Sequence, residues 1–508
     1  MRNRRAAARG RQLIDDARWT AWASRLTLLA NAVGRAQAPS TSSADPESLR
    51  RALAEVVDVC DRSQVWLALA VLSGRLPDED TVIEVARGDE FDGGASLVSA
   101  IERETTAESA AWLVRVVTGG AVVDVAHTAS TDFATGIQRV ARETTRRWLA
   151  TRPATPVAWT TGFQAMRELT ALERDRLLDV RAPVDTSATV VTTVVVPWHT
   201  TYVLPELAAE PERSTRLRAL ARFATNRTGV IGFDCVPITS AETTQLGLSA
   251  VFAGNLSAVR YFDRVAAISS AAKTEYDGWR ATLSAIGVDG PEVGAVVLPV
   301  EVDDESTWDV EAAVGRFQVG TLPLVLVVGS HEPRKNHLAV LHAADLLWRE
   351  GREFSLSFVG GNAWGSDAFV NQLAVAQRAG RPVDTESRLS DARLWAAYAL
   401  ARFTVFPSLN EGFGLPVAES LAVGTPVITS SFGSMLEIAK EGGALVVDPR
   451  DDVAIADAMR ELLTNDRTLE RLREEAAQRP TRTWDQYADE AWAFLADTAA
   501  DRPGGGAG

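Results

Sequence analysis

The chain has 508 residues and a formal net charge of −15; 46% of its residues are hydrophobic and 23% are charged. This length allows two or three domains with sizeable cores. The acidic balance argues against a nucleic-acid-binding protein, because such a protein presents a basic surface. The two cysteines, Cys60 and Cys235, are too few for a disulfide framework and favour a reducing compartment. Because no apolar run reaches the length of a membrane span, we expect a cytoplasmic protein.

Residues 1–118 are predicted to form a helical extension. Apolar residues recur at helical spacing in segments 47–72 and 95–117, and a stretch rich in Ser, Thr, Ala and Pro at 38–46 predicts a linker. These helices could dock on the rest of the chain, mediate self-association or hold a protein partner. The basic segment 1–5 predicts either a disordered, solvated tail or a loose contact with anionic lipid at the inner face of the membrane.

Strands and helices alternate from residue 119 onward, which is typical of βαβ units and a parallel sheet covered by helices on both faces. A helical pattern spans 135–150, and an acidic, irregular stretch at 301–320 predicts a linker. Short β-prone runs are found at 122–125, 157–159, 190–196, 230–233, 265–268 and 295–298.

A second and more regular alternation begins at residue 322, with a strand at 322–328 and a helix at 337–350 that Asn336 is predicted to cap. Two doubly wound domains of this kind place a ligand cleft between them, at the carboxyl ends of their strands. The predicted divisions are the helical extension 1–118, an amino-terminal Rossmann-like domain 119–300, the linker 301–320, a carboxyl-terminal Rossmann-like domain 321–482, a helix 483–500 and a disordered tail 501–508.

The stretch Pro407-Ser-Leu-Asn-Glu-Gly-Phe-Gly-Leu-Pro-Val-Ala-Glu419 predicts a glycine loop between a strand at 403–406 and a helix. Its glycines allow the backbone to bend sharply and approach a ligand closely. Pro416 suits the first turn of the helix, whose free N–H groups would face a phosphate. Glu411 would lie beside the bound group and Glu419 about two helical turns further on. Taken alone, an ordinary loop and a solvated helix would explain the same stretch equally well.

A basic pair, Arg334 and Lys335, lies in the loop that follows the strand at 322–328. The fork of Arg and the point charge of Lys can together neutralise a diphosphate. Because this loop and the glycine loop leave strands of one predicted sheet at the same edge, we expect them to face one cleft. Two cations, a helix N-terminus and two carboxylates for hydroxyl groups are what binding of a nucleotide-sugar requires.

These two motifs, Gly329-Ser-His-Glu-Pro-Arg-Lys-Asn336 and the glycine loop with Glu411 and Glu419, resemble those of the group 1 glycosyltransferases. This is a family of retaining enzymes with the GT-B fold, and the similarity extends from about residue 322 to residue 451. Within the family, the sequence resembles the polysaccharide mannosyl- and rhamnosyltransferase branch. The resemblance implies that Arg334 and Lys335 bind the donor diphosphate and that Glu411 contacts the sugar at the reacting end.

The resemblance also implies further donor contacts. Glu419 would bind the ribose, and the backbone amides of Gly412, Phe413, Gly414 and Leu415 would contact sugar and phosphate. Gly329 and His331 belong to the basic loop on the same side. Gly136, in the segment Thr135-Gly-Ile-Gln-Arg-Val140, would either approach the donor phosphates or form a structural turn.

Candidates on the acceptor side come from the less similar amino half. Asp234, in Gly232-Phe-Asp-Cys-Val-Pro237, would either face the cleft or cap the next helix. His127 and His199 follow predicted strands and could act as an acceptor-side base, although a structural role explains each of them as well. Since the histidines lack metal-ligand spacing, and the family needs no metal, we expect neither a metal site nor another cofactor.

The sequence therefore predicts a retaining hexosyltransferase with two substrates: a nucleotide-diphosphate sugar such as GDP-mannose, and a hydroxyl of a glycan or lipid-linked glycan. Two alternatives remain open at this stage. One is a hydrolase or epimerase of activated sugars on the same scaffold. The other is a catalytically idle subunit of a glycan-assembly complex that binds nucleotide-sugar or serves as a scaffold, for which the helical extension would be suited.

Overall fold

The computed structural model describes five stretches of the chain, with side chains from residue 16 onward. They are residues 2–35, 45–131, 136–178, 192–387 and 389–497. The predicted tail at 501–508 and most of the predicted linker at 38–46 lie outside the described residues. The same holds for Thr135 and for the first two residues of the predicted strand at 190–196.

Residues 2–35 and 45–110 contain six helices, which confirms the helical region predicted there. The side chains of Asp45, Asp61 and Asp78 each accept a hydrogen bond from a backbone N–H at the start of a helix and so define where it begins. Residues 2–5 are helical, so the disordered alternative is wrong for them. The helices are α1 Arg2–Ala32, α2 Pro46–Val56, α3 Arg62–Ser73, α4 Glu79–Asp92, α5 Ala95–Glu104 and α6 Ala107–Ala110.

In the described part of residues 113–295, nine strands form a sheet with the order β1-β5-β4-β3-β2-β6-β7-β8-β9. Its strands are β1 Leu113–Val117, β2 Ala121–Asp124, β3 Ala154–Trp159, β4 Met166–Glu168, β5 Thr193–Pro197, β6 Thr201–Leu204, β7 Arg227–Gly232, β8 Arg264–Ala267 and β9 Glu292–Ala295. The helices between them are α7 Ala126–Ser130, α8 Gly136–Thr151, α9 Ala171–Leu178, α10 Pro211–Phe223, α11 Val236–Thr239, α12 Leu248–Val259 and α13 Ser270–Leu283.

Two strands of this sheet differ from the prediction. β1 was predicted as the end of a helical segment, but three of its five residues are valines, and it pairs in parallel with β5 at the edge of the sheet. The prediction of a wholly parallel sheet is wrong at β4, which runs antiparallel to β3 and β5. With only three residues, β4 is too short to produce a recognisable alternation of apolar and polar side chains.

The helical region packs directly on this sheet and its helices. Buried apolar residues form one continuous core from Trp22 and Trp66 of the first helices to the central strands. Glu79, at the start of α4, forms ion pairs with Arg218 and Arg222 of α10. Of the three roles left open by the sequence, docking on the rest of the chain is therefore realised, while self-association and partner binding stay predictions.

The second sheet has six parallel strands in the order β12-β11-β10-β13-β14-β15. The predicted linker contains the helix α14 and is therefore only partly irregular, because Phe317 of α14 is buried against Trp395 and Tyr398. The strands are β10 Leu324–Val328, β11 Ser355–Val359, β12 Val383–Glu386, β13 Phe403–Phe406, β14 Val427–Ser430 and β15 Ala444–Val447. The helices are α14 Val310–Phe317, α15 His337–Arg349, α16 Asp367–Arg378, α17 Asp391–Leu400, α18 Leu415–Ala422, α19 Gly433–Ala439, α20 Asp452–Thr464 and α21 Asp466–Ala477.

The last helix, α22 Trp484–Leu495, returns to the amino-terminal sheet. The indole Nε1 of Trp148 in α8 donates a hydrogen bond to the carbonyl oxygen of Ala488 at 2.8 Å, and the ring of Trp148 meets that of Trp492 edge-on at 5.5 Å. The chain thus crosses between the two halves a second time, so that α22 ties them together. Within the described residues, none of the helices is both long and apolar enough to cross a membrane.

We expect Trp148→Ala to lower the free energy of unfolding by about 3–5 kcal/mol, because it leaves a cavity and removes a buried hydrogen bond. Urea denaturation monitored by circular dichroism measures the change. Phe91→Ala is the control, since Phe91 is 90% exposed, and it should change the stability by less than about 0.5 kcal/mol. Equal effects of the two substitutions would contradict the anchoring role of Trp148.

Candidate functional site

A cavity of about 1700 Å³ lies between the two halves of the molecule. It is bordered by residues of the loops that follow strands in both sheets: Asp234 after β7, Ile268 after β8, Gly329 after β10 and Glu411 after β13. The carboxyl ends of the two sets of strands therefore face each other across the cavity. This is the position in which open α/β sheets bind their ligands.

The basic loop forms a 3₁₀ turn at Pro333–Lys335, which brings both of its cations to the cavity. The predicted capping of α15 by Asn336 is wrong, because Asn336 adopts φ 60° and its side chain makes no capping hydrogen bond. The Asn336 amide instead donates to the carbonyl oxygens of Pro407 at 3.2 Å and Pro449 at 2.6 Å. Its role is to bind the basic loop to the loop that follows β13.

Glu411 lies between the two cations of the basic loop. Its carboxylate oxygens are 2.6 Å from Arg334 Nη1 and 2.6 Å from Lys335 Nζ, and the Ser408 hydroxyl donates to it at 2.6 Å. Burial by itself would raise the pKa of Glu411, but Arg334 and Lys335 outweigh that effect and hold the pKa at about 2. The carboxylate is therefore charged, and it keeps both cations at one point of the cavity wall.

The glycine loop continues directly into α18, as the sequence predicts. Gly414 adopts φ 99°, a left-handed conformation that favours glycine, and Pro416 lies in the first turn of the helix. At Gly412 the requirement for glycine is steric rather than conformational. A Cβ atom there would overlap with the carbonyl oxygen of Phe233 and lie 2.8 Å from Asp234 Oδ2, both in the opposite half. The amino half therefore approaches the glycine loop without a gap.

Glu419 is buried at the cavity wall and binds a residue that the sequence did not single out. Its carboxylate is 3.1 Å from Arg139 Nη1 and accepts a hydrogen bond from the Tyr398 hydroxyl at 2.9 Å. Burial raises the pKa of Glu419, and the charge of Arg139 opposes that rise. Arg139 lies three residues after Gly136 on α8, within the segment quoted for the family resemblance, but nothing in the sequence shows that it reaches the second domain.

Most of the predicted site residues line the cavity, with Asp234 and Gly136 on the amino half. Asp234 faces the cleft and also accepts a hydrogen bond from Val236 N at 3.1 Å, although the N-cap residue of α11 is Cys235. Burial raises the pKa of Asp234 to about 6, although Arg334 acts in the opposite direction. The predicted residues found in the cavity wall are Gly136, Asp234, Gly329, Arg334, Lys335, Glu411, Gly412, Phe413, Gly414, Leu415 and Glu419.

The three histidines that were candidates lie elsewhere, as far as the structure describes the cavity wall. His331 is buried beneath the basic loop, where its Nδ1 is 2.9 Å from Asn362 Oδ1 and its ring packs against Phe369. His127 is exposed, with Nδ1 4.0 Å from Glu210 Oε1. His199 lies at the amino end of β2, where its carbonyl oxygen accepts from Gly119 N, and thus opposite the cavity. Direct contact of these three side chains with a ligand stays a prediction.

Among the described residues, no group of three or more His, Cys, Asp and Glu side chains could hold a metal ion. Positive charge at the cavity comes from Arg334 and Lys335, from the free N–H groups at the start of α18, and from arginines of the amino half. Those arginines are Arg139, Arg142, Arg146, Arg147 and Arg176.

The family to which this site belongs follows from comparison with known proteins. Residues 316–479 match the family described as glycosyl transferases group 1, and this span contains both loops of the site. The chain carries a group 1 glycosyltransferase domain. The resemblance of the two sequence motifs to that family is thereby confirmed.

Relatives of this glycosyltransferase domain include mannosyltransferases. The chain is 27% identical over 255 residues to the serotype-specific mannosyltransferase WbdA of Escherichia coli, an alignment that covers 48% of this chain and 30% of WbdA. It is 34% identical over 152 residues to the O-antigen chain mannosyltransferase B of E. coli, which covers 30% of this chain and 39% of that protein. The matched regions thus span only about a third of each of these relatives.

A solved structure shares the GT-B architecture of the chain. The structure of the Anabaena protein HepE in complex with UDP-glucose superimposes with a TM-score of 0.50 at 13% identity, covering 74% of this chain and 96% of HepE. At this identity the comparison concerns the fold alone. The prediction of two Rossmann-like domains that face a cleft, with an additional amino-terminal helical region, is confirmed.

The depressed pKa of Glu411 predicts how the stability of this domain depends on pH. The unfolded chain takes up a proton on this carboxyl near pH 4.5 and the folded chain only near pH 2, so the stabilisation by the ion pairs is complete above pH 4.5 and is lost as the pH falls. Between pH 5 and pH 3 the wild type should lose about 2 kcal/mol more than Glu411→Gln. Urea denaturation at each pH measures this difference.

The control for that experiment is Glu474→Gln, since Glu474 is exposed on α21. It should follow the wild-type dependence on pH. Identical slopes for the wild type and Glu411→Gln would show that Arg334 and Lys335 do not hold Glu411 in its charged form.

Proposed function

We propose that the protein transfers a hexosyl group, with mannosyl as the first candidate, from a nucleotide-diphosphate sugar to a hydroxyl of a glycan or lipid-linked glycan. The proposal includes retention of the anomeric configuration and no requirement for a metal ion. It is carried by one observation: Arg334, Lys335 and the N-terminus of α18 converge on one side of a cavity between two Rossmann-like domains. Retention rests on the family resemblance alone.

The chemical difficulty of such a transfer is charge separation. Breaking the bond between the anomeric carbon and the diphosphate leaves a cation-like sugar and an anion that gains charge. Arg334 and Lys335 are already held in place by Glu411, so they can stabilise that anion without rearranging during the reaction. The acceptor oxygen then bonds to the anomeric carbon, and its proton leaves to the released diphosphate or to water.

Glu411 has a second use in this proposal. Its carboxylate lies within hydrogen-bonding distance of both cations, so a diphosphate that binds them brings its sugar next to Glu411. A negative charge there orients sugar hydroxyls and opposes the positive charge that develops on the ring. The low pKa of about 2 keeps Glu411 ionised for this role at neutral pH.

Glu419 is proposed to hold the nucleoside part of the donor. The carboxylate lies eight residues along the chain from Glu411, in the helix whose N-terminus faces the phosphates, and it is bonded to Arg139 and Tyr398. A ribose can replace Arg139 as the partner of Glu419, since the Arg139 side chain is 36% exposed and free to move aside. The sugar is proposed to be mannose because both E. coli relatives described above are named mannosyltransferases.

We expect Lys335→Ala to lower kcat about 100-fold with a smaller effect on the donor KM, because the diphosphate gains charge in the transition state. Steady-state kinetics with the nucleotide-sugar that raises Tm in thermal unfolding measures kcat and the donor KM. Lys440→Ala is the matched control, since Lys440 is exposed at the end of α19, and it should retain wild-type kinetics. A wild-type kcat for Lys335→Ala would remove Lys335 from the proposed role.

The donor site itself is tested by thermal unfolding with nucleoside diphosphates of each base and with their sugars. A ligand that binds only the folded state raises Tm, by an amount that corresponds to about 2.7 kcal/mol at 100 times its Kd. We expect a shift with one base, unchanged by a chelator and abolished in Arg334→Ala/Lys335→Ala. No shift with any nucleotide would contradict the proposal. Binding without turnover for any acceptor would favour the nucleotide-sugar-binding subunit instead.

A further inference from the structure

The two halves of the molecule are joined across the cleft by a carboxylate that caps a helix of the opposite domain. Glu437, in α19 of the carboxyl half, accepts hydrogen bonds from Ser270 N and Ala271 N, each at 3.0 Å. These N–H groups belong to the first turn of α13 in the amino half, where a helix has no internal acceptors for them. A negative charge at this position also interacts favourably with the helix dipole.

The same edge of the amino half holds the loop that carries Glu411. The Ser269 hydroxyl donates to the carbonyl oxygen of Gly412 at 2.6 Å, and the Asn410 amide donates to Glu275 Oε1 at 3.1 Å. Between these two residues, the carbonyl oxygen of Glu411 accepts from the Ser434 hydroxyl of α19 at 2.8 Å. Each of three consecutive residues of the loop, 410–412, is thus fixed by a hydrogen bond to α13, its N-cap or α19.

These contacts are interdependent because α19 takes part in both sets. Ser434 lies at the start of α19 and holds the loop, while Glu437 lies one turn later and holds α13. Gly412 leaves room for the amino half to approach, and an added Cβ would meet Phe233 and Asp234 there. If the two halves separated, Ser269, Glu275 and Glu437 would lose their partners in the opposite domain together.

We propose that the edge formed by Ser269, Glu275 and the first turn of α13 positions the donor loop 410–412, and that Glu437 is the positioning residue that closes the two halves onto each other. The inference rests on the proposed function, since it assigns to closure the placement of Glu411 beside the sugar. The loop then has its reactive conformation only in the closed molecule. Closure also keeps water from the activated sugar, so transfer is favoured over hydrolysis of the donor.

Glu437→Ala tests the proposal through kinetics. We expect kcat for transfer to fall about tenfold and donor hydrolysis without acceptor to rise relative to transfer. The Kd for the nucleoside diphosphate should stay within about threefold, because Arg334, Lys335 and α18 are unchanged. Glu437→Gln keeps one acceptor oxygen and should lie in between. Glu441→Ala is the matched control, since Glu441 pairs with Arg479 inside the carboxyl half, and it should behave as wild type.

Amide hydrogen exchange of the peptide that contains Ser270 and Ala271 provides a second measurement, which needs no turnover. These amides should be protected in the wild type, more so with the nucleoside diphosphate, and should exchange faster in Glu437→Ala while the rest of α13 remains protected. Unchanged exchange, or an unchanged kcat and hydrolysis ratio, would overturn the proposal. A fall in nucleotide affinity that accounts for the whole loss of activity would also overturn it. If the wild type binds no nucleotide, the proposed function fails. The exchange experiment still shows whether Glu437 protects the Ser270 and Ala271 amides.

Discussion

The ion pairs of Glu411 with Arg334 and Lys335 are the interaction on which the arrangement of the cleft depends. They join the loops after β10 and β13, two neighbouring strands of the second sheet, and Arg334 reinforces the junction by donating to the carbonyl oxygen of Asn410 at 2.8 Å. Two cations beside each other would repel without an anion between them. Glu411 supplies that anion, so the positions of both cations are set by the protein itself.

The two halves of the molecule contribute differently to this site. The carboxyl half contributes the cations Arg334 and Lys335, whereas the amino half supplies the surface against which the glycine loop rests. Arg139 and Glu437 each form a charged contact across the boundary, in opposite directions. A closed cleft lowers the local dielectric constant, which strengthens the attraction between the cations and an anionic ligand. The cations of the carboxyl half and the contact between the two halves would therefore act on the same ligand.

The candidate site could be predicted where a motif and a strand end coincide. Arg334, Glu411 and Asp234 follow β-prone runs, and parallel strands bring their carboxyl ends to one edge. The histidines could not be placed in this way, because a position after a strand does not show which way a side chain points. His331 follows β10 closely and yet packs against Phe369, where burial lowers the pKa of His331.

By itself the sequence determined the alternation of strands and helices in both halves, the glycine loop that opens α18, and the pair of adjacent cations, Arg334 and Lys335, at the predicted cleft. These features are local: apolar periodicity, Gly and Pro positions and adjacent charges encode them directly. The tertiary structure alone decided that Arg139 reaches Glu419, that Asn336 binds two distant carbonyls, and that β4 runs antiparallel. Each of these depends on groups far apart in the chain, whose meeting follows from packing rather than from any local pattern.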